Sequence, residues 1–225
     1  MLEGKELILA TKKYAIEDRR KSWFHLLSTL VLMAATLTAI VLLDIVVVRA
    51  VLSILLGLLS IRTFIIYHDF EHHAILYKSK AANVIMTVFG LLILAPPSIW
   101  KRSHDYHHAH NSKLFSASIG SYPIVTKDKF MAMSAGERRV YLFIRHPLTI
   151  ALGYFTMFIF GMCINSFASA PKKHMDSLLA LILHVAISAG IIVFAGWEIW
   201  LFAMFIPHLI ASAIGAYLFY AQHNF

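Results

Sequence analysis

Four apolar runs of about twenty residues constrain this chain more than any other feature. They lie near residues 24–43, 46–67, 178–195 and 198–220. As helices, each is long enough to cross a hydrocarbon core of about 30 Å. Backbone groups in lipid must find partners within the chain, so only helices or a closed barrel can span, and uninterrupted runs of this length are helices. The expected fold is an all-α integral membrane protein. It has four transmembrane helices in two hairpins, re-entrant or interfacial helices over 83–94 and 148–167, and a histidine-rich cytoplasmic cap.

Composition supports this and excludes two other classes. Of the 225 residues, 59% are apolar and 14% charged, against about 45–50% and about 25% in soluble domains. The formal charge is +8, but the basic residues flank apolar runs, so nucleic acid is not the expected partner. The single cysteine, Cys163, excludes an internal disulfide. Residues 1–22 are polar, without the apolar core and cleavage site of a signal peptide. They carry Lys5, Lys12, Lys13, Arg19, Arg20 and Lys21, which places this end in the cytoplasm. With no internal repeat or linker, residues 1–225 read as one domain.

Two histidine-rich stretches stand out from this apolar background, His68-Asp69-Phe70-Glu71-His72-His73 and His104-Asp105-Tyr106-His107-His108. On a helix, positions i, i+3 and i+4 share a face. His68 and His72 therefore point one way, as do His104, His107 and His108. Clustered imidazoles suit zinc, copper, iron or nickel. With one distant cysteine, a closed structural zinc site is a poor fit. Asp69, Glu71 and Asp105 are expected to orient imidazole rings from behind rather than bind metal. The apolar segment 83–94, followed by Pro96-Pro97, covers only about 18 Å as a helix. It cannot cross, so both clusters stay on one side.

The later segments follow a parity argument. Lys172 and Lys173 place the loop before residue 178 inside, so 148–167 is re-entrant and the last two runs form a hairpin turning near Gly196-Trp197-Glu198. His223 then returns to the side of the clusters, whereas three full crossings would put it on the other. His184 and His208 lie twelve residues either side of Gly196 and should meet about 18 Å from the turn. Such a pair serves as a hydrogen-bonded helix contact, as the polar lining of an internal cavity, or as the axial ligands of a haem.

The pattern His68-xxx-His72-His73 and His104-xx-His107-His108 resembles the first two histidine boxes of membrane fatty acid desaturases, most closely acyl-lipid enzymes of the delta-12 (omega-6) type. Ser98-Ile99-Trp100-Lys101-Arg102-Ser103, the stretch from Ser121 to Pro147, and the closing Leu218–Phe225 are similar to that family as well. The resemblance implies an O2-dependent oxidoreductase of unsaturated fatty acid biosynthesis with two irons. Its ligands would be His68, His72, His104, His107 and His108, with His73 and His223 as further candidates. It implies a fatty acyl lipid or thioester substrate, and an electron donor such as ferredoxin or cytochrome b5. It also implies contact with membrane lipid, and a multi-pass location in a bacterial inner membrane with both termini cytoplasmic. The family's third box, His-xx-His-His, is not found in these residues. The expectation is therefore a desaturase domain incomplete at its C-terminus and inactive alone. Related di-iron hydroxylases and ketolases share the box spacing. A non-catalytic metal- or haem-binding membrane protein is the alternative from another class.

Overall fold

The computed structural model describes residues 4–14, 16–109 and 122–222, and no strand occurs among them. After a short helix α1 (Gly4–Thr11), the long helices α2 (Arg19–Leu42) and α3 (Val46–Glu71) form a first hairpin. The amides of Arg20 and Lys21 donate to the Asp18 carboxylate at the start of α2, satisfying donors that the helix leaves free. Two shorter helices follow, α4 (Lys80–Leu92) and α5 (Pro97–Ala109). The more polar stretch after them holds α6 (Lys127–Ala132), α7 (Ala135–Ile144) and α8 (Pro147–Ala151). Ser134 and Glu137 close a reciprocal capping box on α7, where Ser134-Ala135-Gly136-Glu137 reads in the sequence as a turn or helix start.

A π-helical stretch, Tyr154–Asn165, leads into α9 (Ser166–Ser169). The second hairpin pairs α10 (Met175–Ala195) with α11 (Trp197–Trp200), which continues through a π turn at Leu201–Phe205 into α12 (Ile206–Gln222). Pro207 lies just beyond that turn. A proline ring crowds the carbonyl four residues back, and a wider turn relieves the crowding.

Four helices are long and apolar enough to cross a membrane: Arg19–Leu42, Val46–Glu71, Met175–Ala195 and Trp197–Ala221. They coincide with the four runs read from the sequence. The protein is thus an all-α integral membrane protein. Its outer faces carry exposed Val31, Val185, Val193 and Phe194, surface that lipid rather than water can cover. Inside, helices approach closely over small residues, as packing in lipid requires. A methyl group on Gly57 would meet Ile210 at 3.0 Å, and one on Gly153 would meet the Ser212 carbonyl at 2.9 Å.

Arg49 fixes which ends lie together. Its Nη1 is 2.9 Å from Asp44 in the first hairpin turn and 3.2 Å from Glu198 in the second. Its Nε donates to the Ile40 carbonyl at 3.1 Å, and its side chain is only 7% exposed. Both turns therefore occupy one end, and both histidine stretches belong to the other.

Within the segment α4–α5 the two helices meet at 92°, and the Trp100 ring on α5 lies 6.4 Å from that of His68 near the end of α3. At the bend Leu94 takes a left-handed conformation (φ 61), the amide of Ala95 reaches the Gly90 carbonyl at 2.9 Å, and that of Leu94 reaches Leu91 at 3.3 Å. This is the Schellman arrangement, formed without its usual glycine. Gly90 is required nearby, since a methyl group there would lie 2.9 Å from the Ala95 carbonyl.

The stretch from 147 to 169 also leaves and returns at the same end. It starts beside the end of α12, where Arg145 reaches the Tyr220 hydroxyl at 3.3 Å. Midway, Tyr154 touches His184, nine residues into α10. It then rises, and Ser177 near the start of α10 donates to the Met162 carbonyl at 3.1 Å.

Replacing Arg49 with Met keeps most of the apolar stem and removes the bridge between the two turns. Loss of the buried bond from Arg49 to the Ile40 carbonyl, with the more exposed pairings to Asp44 and Glu198 adding little, should cost about 1–3 kcal/mol. Thermal unfolding in detergent should show this, and an unchanged transition would contradict the role assigned to Arg49.

Candidate metal centre

The first histidine stretch is the last turn of α3 and its cap. The His68 and His72 rings lie side by side, with centroids 4.5 Å apart and planes at 68°, as the i, i+4 spacing requires. Asp69 Oδ1 lies 3.3 Å from His68 Nδ1. A carboxylate there accepts the Nδ1 proton and leaves the Nε2 lone pair available, which is the arrangement that orients metal-binding imidazoles.

His73 parts company with this pair. It sits at φ 58, with its amide bonded to the Phe70 carbonyl at 2.9 Å and the Ala74 amide bonded to Asp69 at 3.1 Å. This is a second Schellman ending without glycine. The left-handed residue directs the His73 ring onto Tyr77, centroid to centroid 4.8 Å. Of the two adjacent histidines, His72 stays with His68 and His73 does not.

The second stretch lies on α5, whose helical backbone puts positions 104, 107 and 108 on one face. The side chains of His104, His107 and His108 lie outside the described residues, and so does His223. What precedes them is well placed. Trp100 packs against Phe64, Phe219, Tyr67 and His68, at ring-centroid distances of 5.0, 5.2, 6.3 and 6.4 Å. This aromatic cluster seats the start of α5 directly against the last turns of α3. Lys101 pairs with Asp105 at 3.4 Å along α5, and Glu71 at the end of α3 feels the charges of both. Of the three acids expected behind the ligands, Asp69 contacts an imidazole and Asp105 a lysine.

Sequence reasoning missed the residues that hold α5 at its root. Ser98, Arg102, His174 and Asp176 form one hydrogen-bonded group between the start of α5 and the start of α10. Nothing in the sequence pattern pointed to a partner more than seventy residues away.

His184 and His208 meet as the hairpin arithmetic predicts, with ring centroids 5.3 Å apart. His184 Nε2 is 2.5 Å from the Tyr154 hydroxyl, and His208 Nε2 is 3.0 Å from the Leu92 carbonyl at the end of α4. Both Nε2 atoms are thus engaged by protein groups, and the pair serves as a contact that ties α10 and α12 to the re-entrant segments.

Among the described residues, no three His, Cys, Asp or Glu side chains come together as a metal cluster. The described part of the donor set nevertheless fits iron in kind: two adjacent imidazoles, one backed by a carboxylate.

Comparison with known proteins gives concordant findings. A family model described as fatty acid desaturase matches residues 45–225. A protein of Bacillus subtilis (strain 168) named fatty acid desaturase is 29% identical over 165 residues, covering 73% of this chain and 47% of the relative. The chain thus spans about half the length of that curated relative. No solved structure matches the chain.

Because His73 occupies a left-handed conformation and faces away from the His68–His72 pair, His73→Gly should stabilise the helix ending by about 1 kcal/mol. It should also leave metal content unchanged. Loss of metal on this substitution alone would show that His73, not His72, is the ligand.

Proposed function

The chain belongs to the fatty acid desaturase family, and from that premise we propose that its two histidine stretches contribute to one di-iron centre that introduces a double bond into a fatty acyl chain. The observation that carries this is the His68–His72 pair, set against the helix that bears the second stretch in a chain matched by the family model. His68, His72, His104, His107 and His108 would hold the metal, with His223 as a further ligand. Two irons, with O2 and two electrons from a donor such as ferredoxin or cytochrome b5, would supply the power to remove two hydrogens from adjacent methylenes and form water.

The protein's own part is position and exclusion of water. Asp69 holds the His68 ring. Phe64, Tyr67, Trp100 and Phe219 form an apolar floor beneath the pair. One helical turn deeper, a narrow, mainly apolar cleft of about 30 Å³ is lined by Ile61, Phe64, Ile93, Phe158, Ala211 and Gly215, among others. Its apolar lining suits contact with hydrocarbon. Its position below His68 would hold methylenes near the metal and let its depth select the bond. The acyl group would arrive as membrane lipid or thioester from the cytoplasmic face of a bacterial inner membrane. Both termini and the basic residues between 113 and 145 would lie on that face.

The third histidine motif of the family is not among these 225 residues, so the ligand set they offer is short by that motif. Purified and supplied with ferrous iron, the 225-residue chain is expected to hold fewer than two tight irons and to form no unsaturated product. His68→Ala combined with His72→Ala should lower its iron content further. Two tight irons with product formation would overturn the incomplete set. Iron content indifferent to the double substitution would overturn the assignment of the pair.

A further inference from the structure

The group formed by Ser98, Arg102, His174 and Asp176 has no part in the proposed chemistry, yet its hydrogen bonds can be assigned in full. Ser98 is the second residue of α5, and its amide is one of the donors a helix start leaves free. That amide donates to Asp176 Oδ2 at 2.8 Å, so a carboxylate from α10 caps α5 across the fold. The Ser98 hydroxyl donates to Asp176 Oδ1 at 2.5 Å, since an ionised carboxylate only accepts. With its proton committed, the Ser98 oxygen must accept from His174 Nδ1, 2.8 Å away. Neutral His174 then presents a bare Nε2, and Arg102 Nη1, 3.3 Å from it, donates. Every polar contact runs one way, from Arg102 through His174 and Ser98 to Asp176.

This order argues against a nucleophilic serine. In a hydrolytic triad the imidazole takes the serine proton, whereas here the carboxylate holds it. His174 is 3% exposed, and no open approach to the hydroxyl follows from the geometry.

Resting on the di-iron reading above, we infer that this group is a clasp that positions the second histidine stretch, and that protonation of His174 opens it. His108 lies ten residues beyond Ser98, about 15 Å along the helix. A pivot of only a few degrees at Ser98 would move it by about 1 Å, enough to spoil a metal site. A second proton on His174 would point an N–H at the Arg102 guanidinium, so the bond at Nε2 is lost and like charges face each other. The groups facing His174 are Ser98 and Arg102 from α5, Asp176 from α10 and Lys173 from its own loop.

Burial, and then Arg102, hold the His174 pKa below its ordinary value, against the opposing pull of Asp176. A histidine depressed in this way contributes stability that is complete above its unfolded pKa of about 6.5. The contribution is lost as pH falls through the lower folded value. The clasp should therefore be closed at neutral pH and open under acid.

The test is a nitroxide on Tyr106→Cys in the full chain reconstituted in lipid, read by its electron paramagnetic resonance line shape, with native Cys163 buried. The label should be restricted at pH 8 and show a growing mobile component only once the pH falls below the ordinary histidine value of about 6.5. His174→Asn keeps a donor toward Ser98 and cannot titrate, so its label should remain restricted at both pH values. Asp176→Ala and Ser98→Ala should be mobile throughout. A pH-independent spectrum in the parent, the same pH response in His174→Asn, or a restricted label in both Asp176→Ala and Ser98→Ala would overturn the clasp. Iron content measured on the same samples separates the two ideas. A restricted label at pH 8 with iron content that His68→Ala combined with His72→Ala does not lower contradicts the metal reading and leaves the clasp standing. A mobile label with iron retained contradicts the positioning role.

Discussion

A helix of 13 residues, α4, covers about 20 Å and cannot cross a core of about 30 Å. The rest of the arrangement depends on that shortfall. Had α4 been one and a half times as long, the two histidine stretches would face opposite sides of the membrane. Because it is short, the chain turns back through Leu94 and the Pro96-Pro97 pair, and α5 returns to the end from which α4 set out. Arg49 closes the opposite end, tying together two turns that are about 150 residues apart in sequence.

Such a bend deep among apolar helices exposes backbone groups that lipid cannot satisfy. The protein answers with specific partners. Ala95 and Leu94 amides close the end of α4 upon its own carbonyls, His208 takes the Leu92 carbonyl, and Asp176 takes the Ser98 amide. Tyr154, at the start of the π-helical stretch, reaches His184. The polar side chains within the apolar helices thus serve mainly to fix re-entrant segments against spanning ones.

Length and hydropathy made the four spanning helices legible, because lipid imposes one requirement on every residue of a span. The shortness of the helix over 83–94 was legible for the same reason. So was the meeting of His184 and His208, which follows from helical rise on either side of Gly196. The start of α7 could be read because Ser134 and Glu137 satisfy each other within four residues. What could not be read depends on partners distant in sequence or on backbone choices without a signature residue. His73 and Leu94 adopt left-handed conformations that sequence patterns associate with glycine. Arg49 bridges to Glu198, about 150 residues away, and nothing local in the sequence indicates that Ser98 and Arg102 lie against His174.

The account stands on both histidine stretches facing one side of the membrane, opposite the hairpin turns. Single cysteines at Tyr77, Tyr106 and Val47, all exposed, can be probed with an impermeant thiol reagent in sealed vesicles of known orientation. Tyr77→Cys and Tyr106→Cys should be labelled from the same face and Val47→Cys from the other. Labelling of Tyr77→Cys and Tyr106→Cys from opposite faces would mean that α4 and α5 cross the membrane, and the shared centre would be ruled out.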